Sequence, residues 1–146
     1  MNFQIRDPDF ARKVRESFER QSFLTTLGAR LLDVTPGQCE ISAPISAQTL
    51  QQHGYAHAGL AFSLADSAAG YSALSLLPPD REVLTIETKI NLLAPARGER
   101  LTARGYVVKP GRTISVVAAD VFAQTGDDEK LIARLQGTMI NTEAGA

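Results

Sequence analysis

The sequence predicts an α+β fold in which an antiparallel β-sheet wraps around one long central helix. Between Ile41 and Pro79 the only charged side chain is Asp66. It sits in the run Gly59-Leu60-Ala61-Phe62-Ser63-Leu64-Ala65-Asp66-Ser67-Ala68-Ala69-Gly70-Tyr71, a helix apolar on nearly every face and so one that other elements must surround. Beyond Pro78-Pro79 the chain reads as long alternating strands separated by turn signals. A helix followed by a run of antiparallel strands is an α+β order of elements.

Each element has a local cause. Asp7-Pro8-Asp9 reads as a helix start, with an acid at the cap and proline at the first helical position. Phe10, Val14 and Phe18 then recur at four-residue spacing, giving an amphipathic helix whose Arg12, Lys13 and Arg15 face solvent; it is expected to end near Gly28. Residues 1–28 thus form an N-terminal helical segment and residues 29–142 the main domain. Ala29 to Thr35 and Gln38 to Ile45 are two strands joined by Pro36-Gly37. The polar loop Gln51-Gln52-His53-Gly54-Tyr55-Ala56-His57-Ala58-Gly59 leads into the central helix, which Pro78-Pro79 stops. Val83 to Leu93 alternates Leu84, Ile86, Thr88, Ile90 and Leu92 against Thr85, Glu87, Lys89 and Asn91. Glu99 to Lys109, Thr113 to Gln124 and Lys130 to Asn141 follow as a meander, broken by Pro110-Gly111 and Thr125-Gly126-Asp127-Asp128. Only the tail from Glu143 reads as loose.

Composition limits the function classes. With 15 basic and 16 acidic residues the net charge is −1, so no basic field attracts nucleic acid. Cys39 is the one cysteine, which excludes an intrachain disulfide and suits a reducing compartment. The stretch Met1-Asn2-Phe3-Gln4-Ile5-Arg6-Asp7 lacks an apolar leader core, and no run is long enough to span a membrane. A cytoplasmic protein is expected. Gly54, Gly59 and Gly70 do not have dinucleotide-loop spacing, and His53, His57 and Asp66 make a weak metal set, so no cofactor and no metal are expected.

Asp66 is the candidate for chemistry. Burying an ionised carboxylate costs several kcal/mol unless partners compensate, so packing alone does not favour one in such a run. A Gly-punctuated loop, a helix N-terminus and an acid within a few turns suit acyl transfer. The alternative is an Asp on a solvent-facing stripe or one capping a neighbouring segment.

The string Gln51-x-x-Gly54-x-x-His57-Ala58-Gly59, Asp66 nine positions after His57, then Pro95-Ala96 and Gly111-Arg112-Thr113, resembles the hotdog-fold thioesterases of the phenylacetic-acid-degradation (PaaI-like) type. The resemblance spans roughly Ala29 to Asn141. It implies an acyl-CoA thioesterase whose sites lie between subunits of a homodimer or a dimer of dimers. The chain departs from the family's pattern at Gln51, where asparagine is usual, and at Ala58, where glycine is usual.

By this resemblance the Ala58 N–H polarises the thioester carbonyl, and alanine keeps that amide unless the position needs positive φ. Asp66 would act as general base on water or as nucleophile, with both routes open. Gln51 would bind the carbonyl or the water. Thr85 stands where the family places a hydroxyl that holds water beside the acid, although a β-branched strand residue is also ordinary there. His57 is a base candidate by its chemistry and a loop-fixing residue by resemblance. Gly59 opens the helix beside the substrate, and Arg97, Arg100, Lys109 and Arg112 are candidates for the coenzyme A phosphates. Two rivals are a hydratase or dehydratase acting on the same thioesters with His57 as base, and a non-catalytic acyl-CoA-binding hotdog protein. Phe62, Tyr71 and Leu76 are the side chains expected to set the depth of the acyl pocket.

Overall fold

The computed structural model describes residues 3–145; Met1, Asn2 and Ala146, the outermost residues of the stretches read as leaderless and as a loose tail, lie outside them. Six strands form one antiparallel sheet: β1 (Arg30–Thr35), β2 (Gln38–Pro44), β3 (Arg81–Leu92), β4 (Arg100–Lys109), β5 (Ile114–Thr125) and β6 (Asp128–Glu143). Their order across the sheet is β1-β2-β4-β5-β6-β3. The expected β4-β5-β6 meander is present, and the long-range pairings β2–β4 and β3–β6 place β1 and β3 at the two edges. The strand β6 runs on to Glu143, and Ala144 N–H donates to the Asp80 carbonyl (3.1 Å), so the tail is tied further than its sequence suggests.

The long helix α3 (Ala58–Leu74) lies in the curl of the sheet. Leu60, Leu64, Ala65, Ala68, Ala69 and Leu74 bury against Ile41, Leu101, Val117, Val121, Leu135 and their neighbours. Each fully buried leucine contributes roughly 1.5–3 kcal/mol. The helix sits close because the contact residues are small. A Cβ on Gly105 of β4 would stand 2.2 Å from the backbone of Ala68, so helix and strand meet main chain to main chain there. One flank of α3 stays open to solvent: Gly59, Phe62, Ser63, Asp66, Ser67 and Gly70, at helical spacing.

The N-terminal segment differs from the single helix expected. It is two helices, α1 (Phe10–Glu19) and α2 (Ser22–Thr26), broken where Gln21 is extended. Pro8 precedes the first turn instead of opening it, because buried Asp7 takes the Asp9 N–H on its carboxylate (2.9 Å) and holds that turn out of the helix. Val14 and Leu24 are fully buried. Lys13 is not a solvated base: its ammonium donates to the carbonyls of Pro78 (3.0 Å) and Arg81, just beyond α3. Burial is the main cause that lowers its pKa.

The strand β3 departs most from its expected alternation. The register slips between Thr85 and Glu87, so Ile86 is an extra residue in a β-bulge opposite β6. A bulge shifts the side-chain phase by one. Leu84 therefore joins Glu87, Lys89 and Asn91 on the convex side, while Thr85 pairs with buried Met139 on the side that carries α3. A simple period of two had placed Thr85 on the opposite face.

Candidate active site

The helix α3 begins at a built cap. His57 is its N-cap, and its Nδ1 accepts the Gly59 N–H (2.8 Å). An accepting Nδ1 requires a neutral ring with its proton on Nε2. A Cβ on Gly59 would lie 2.9 Å from that nitrogen, so glycine makes room for the imidazole. His57 N–H also donates to the Thr49 carbonyl (2.8 Å), which ties the loop to the helix start. Ala58 is the first helical residue, and among the described residues none other than glycine has positive φ. Alanine is therefore unstrained there, and its N–H makes no hydrogen bond among the described residues.

Ala58 and His57 line a cleft of about 520 Å³ with Gln51, Tyr55, Leu92 and Pro95. Gln51 folds its side-chain carbonyl onto the His53 N–H of its own loop, which leaves the amide NH₂ as the donor it presents. Arg97 stacks over the Tyr55 ring, with its Cζ 4.4 Å from the ring centre, and donates to the Tyr55 hydroxyl (2.9 Å).

Asp66 stands elsewhere. It lies on the open flank of α3, half-buried, in a separate pocket of about 170 Å³ with Ser17, Gln21, Tyr71, Glu82 and Thr85. Thr85 Oγ1 donates to Asp66 Oδ1 (3.0 Å) and lies 3.3 Å from Met139 Sδ. The β3 bulge aims Thr85 at this acid. Burial, the larger effect, raises the Asp66 pKa, and the hydrogen bond from Thr85 opposes it. An acid raised in this way is a stronger base once ionised.

The sequence candidates therefore fall into two groups within one chain. Gln51, His57, Ala58 and Gly59 gather at the start of α3, and Asp66 and Thr85 lie about 12 Å further along at 1.5 Å per residue. The basic residues do not form one patch. Arg97 borders the cleft through Tyr55, whereas Arg100 opens β4 on the side away from α3 and lines a different groove with Gly28 and Arg30. Lys109 closes β4 about 30 Å from Arg100 at 3.3 Å per residue, and Arg112 lies beyond it beside Phe3, Arg6 and Leu77. Ser17, Gln21 and Glu82 were not singled out from sequence. The signal for Ser17 was present, a polar residue beside Phe18 on the inner side of an amphipathic helix. Among the described residues no three His, Cys, Asp or Glu side chains cluster as metal ligands, and no helix is long and apolar enough to cross a membrane.

This geometry has relatives. The family profile of the thioesterase superfamily matches residues 53–130, from the loop before α3 into β6. A relative from Deinococcus radiodurans is 32% identical over 126 residues, 86% of this chain and 82% of its own. The acyl-coenzyme A thioesterase PaaI of Escherichia coli is 26% identical over 121 residues, 82% of each chain. The crystal structure of a thioesterase family protein from Silicibacter pomeroyi superposes with a TM-score of 0.88 at 44% identity, covering 92% of this chain and 99% of that one. With the sheet curled around α3, and the cap and the helix inside the matched region, the chain belongs to the thioesterase superfamily of hotdog-fold thioester hydrolases.

Proposed function

We propose that this protein hydrolyses acyl-CoA thioesters at a site shared by two copies of the chain. The observation that carries this reading is the separation of Ala58 and Asp66, on one helix but in two pockets with no lining residue in common. A thioester carbon about 3 Å from the helix start cannot also be within reach of that helix's own Asp66. A second α3, antiparallel across a two-fold axis, brings its Asp66 to the first chain's Ala58. The midpoint between these residues is Phe62, which is 40% exposed on the open flank, where such an axis would pass. The edge strand β3 supports the same pairing. It offers a long unpaired backbone edge with Ile86 and Leu92 exposed, a template for another strand. On the convex side, Leu84 and Ile114 flank Ile140 in one row across three strands, a surface on which two dimers could stack as a dimer of dimers.

In the shared site the carbonyl oxygen accepts from the Ala58 N–H at the positive end of α3, assisted by the Gln51 NH₂. Asp66 of the other copy, held by Thr85, takes a proton from water as it attacks the carbonyl carbon. The C–S bond breaks, and the proton passes to the leaving coenzyme A sulfur. Direct attack by Asp66 would instead form an anhydride that water then opens. Arg97 is the basic residue best placed for the coenzyme, at the mouth of the Ala58 cleft. The hydratase reading is disfavoured because His57 Nδ1 is committed to the cap. A purely binding role leaves the Thr85–Asp66 pair without a purpose. The buried, unpaired thiol of Cys39, its pKa raised to about 12 by burial, suits the cytoplasm.

The test mixes and refolds two inactive variants, Ala58→Pro and Asp66→Asn. Random pairing makes about half the dimers mixed, and each mixed dimer regains one of its two sites, so about a quarter of parental activity returns. No recovery from two folded and inactive parents would overturn the shared site.

A further inference from the structure

The mechanism above gives Met139 no task, although its sulfur touches the group that holds Asp66. Met139 of β6 pairs with Thr85 across the sheet and is 1% exposed. Its Sδ lies 3.3 Å from Thr85 Oγ1, and Asp66 Oδ1 lies 3.0 Å from the same oxygen. A threonine hydroxyl carries one proton and two lone pairs, so Thr85 can donate to only one of these acceptors at a time. Among the described residues its hydroxyl has no third partner.

Which acceptor takes the proton depends on the state of Asp66. The ionised carboxylate only accepts, and a charged acceptor outcompetes a thioether, which accepts weakly. Once Asp66 has taken a proton it can donate, and the lone pairs of Thr85 Oγ1 lie beside it. The Thr85 proton must then turn elsewhere, and Met139 Sδ is in place to receive it. No covalent bond of Thr85 or Met139 changes. The one proton transferred is the proton that Asp66 takes from water and later gives to the coenzyme A sulfur. A weak acceptor suits this position. A carbonyl oxygen there would compete with the ionised acid for the Thr85 proton. An alkyl group would leave that proton without a partner once the second copy and the acyl group cover the open flank.

We infer that Met139 is a positioning residue, whose sulfur is the alternative acceptor that lets Thr85 reverse its hydrogen bond as Asp66 gains and loses a proton. This role rests on the thioesterase reading, with Asp66 as the base on water. The other groups that face Asp66 do not supply such an acceptor. In its pocket α3 brings Tyr71, β3 brings Glu82, and the N-terminal segment brings Ser17 and Gln21. Lys13 of α1 is tied to the carbonyls of Pro78 and Arg81. Besides burial, only Thr85 acts on the titration of Asp66. In the shared site the second copy adds His57, neutral at its cap, and Arg97 at the mouth of the cleft, and both are the same in every variant compared below.

Met1 and Met139 are the only methionines, so isotope labelling of methionine methyl groups gives one buried signal, at this site. The experiment follows that signal by NMR against pH in the parent, Thr85→Val and Asp66→Asn. It also follows the acid limb of kcat/KM in the parent, Met139→Leu, Thr85→Val and the Met139→Leu/Thr85→Val double variant. The parent methyl should titrate at the midpoint of the acid limb. The titration should vanish in Asp66→Asn and keep less than half its amplitude in Thr85→Val. Leucine is close to methionine in volume, so the core should tolerate it. It removes an acceptor that only the protonated acid uses, so the limb should move to lower pH by roughly 0.3–1 pH unit, opposite to the move in Thr85→Val. That shift should disappear when Thr85 is already valine. A side chain that merely fills space would show neither this sign nor this dependence on Thr85. A parent methyl that does not titrate overturns the inference, as does a titration that keeps more than half its amplitude in Thr85→Val. A limb that stays or rises in Met139→Leu, or a shift that persists without Thr85, also overturns it, and both leave the thioesterase reading standing. The methyl titration uses intact Met139, so it decides the inference even where Met139→Leu fails to fold. If the parent releases no thiol from any acyl-CoA, the thioesterase reading falls, and the methyl titration alone decides the hydrogen-bond reversal by the same outcomes.

Discussion

Replacing Ala58 by proline removes one atom group, the backbone N–H, from a position the structure prepares for the change. Proline at the first helical position has the fixed φ that a helix needs, and the N–H it lacks is one that α3 does not use. The preceding residue must be extended, and His57 already has φ −62 and ψ 143. The fold should therefore lose little, and a smaller unfolded-state entropy can add about 0.4–1 kcal/mol of stability. The chemistry should suffer. One oxyanion donor is worth about 2.7–4 kcal/mol, or roughly 10²–10³-fold in kcat. The assay pairs thiol-release kinetics with a thermal melt, and Ala58→Gly, which keeps the amide, serves as the control. Ala58→Pro turning over within a few-fold of the parent, with an unchanged melt, would refute the assignment of this amide to the oxyanion. Loss of activity together with a melt lowered by many degrees would show that the cap itself had been broken, against the reading of the loop given above.

Asp66→Asn should cut kcat by about 10²–10⁴-fold. Because burial raises the folded-state pKa of Asp66, the folded protein holds a proton at pH values where the unfolded chain has released it. Stability from this group is then fully present at low pH and declines as pH rises through the folded-state pKa, so Asp66→Asn should melt at or above the parent temperature near neutrality. Thr85→Val removes the hydrogen bond that lowers this pKa, and the acid limb of the kcat/KM profile should move to higher pH; an unmoved limb would separate Thr85 from the acid. His57→Asn keeps a capping side chain and should retain most activity, whereas His57→Ala should lose about 0.5–2 kcal/mol of stability in a denaturant melt. Arg97→Ala should raise KM with little change in kcat, and the difference should shrink as salt is added; equal KM for a CoA ester and a pantetheine ester would exclude a phosphate contact.

The central helix was legible because its run carries one charge and is apolar on nearly every face, although that reading missed the flank from Gly59 to Gly70 that stays open, and the meander because Pro110-Gly111 and Thr125-Gly126-Asp127-Asp128 fall between clean alternations. What the sequence hid is what depends on distant chain. Lys13 looks like any basic helix residue until the carbonyls of Pro78 and Arg81 come to meet it. The break at Gln21 has no proline or glycine to announce it, and its side chain is explained only by Tyr71, fifty residues away in sequence. The acid Asp66 was visible as a charge out of place, whereas its partner Thr85 lay on the wrong face of a strand read with constant phase. Local pattern gives the elements; the partners of buried polar groups come from topology.

The bulge at Ile86 has a consequence for how this enzyme can vary. The strand's alternation runs in two phases along the sequence, yet residues 81–85 and residues 87–92 pair with one unbroken alternation of β6. Deletion of Ile86 would close the bulge, set Glu87 opposite Thr138 directly after Thr85 opposite Met139, and leave every face as it is. Thr85 would stay beside Asp66, on a strand less bent and less twisted at that point. A related chain one residue shorter at this position should therefore keep the Thr85–Asp66 pair, and its strand should read as a clean alternation from sequence alone.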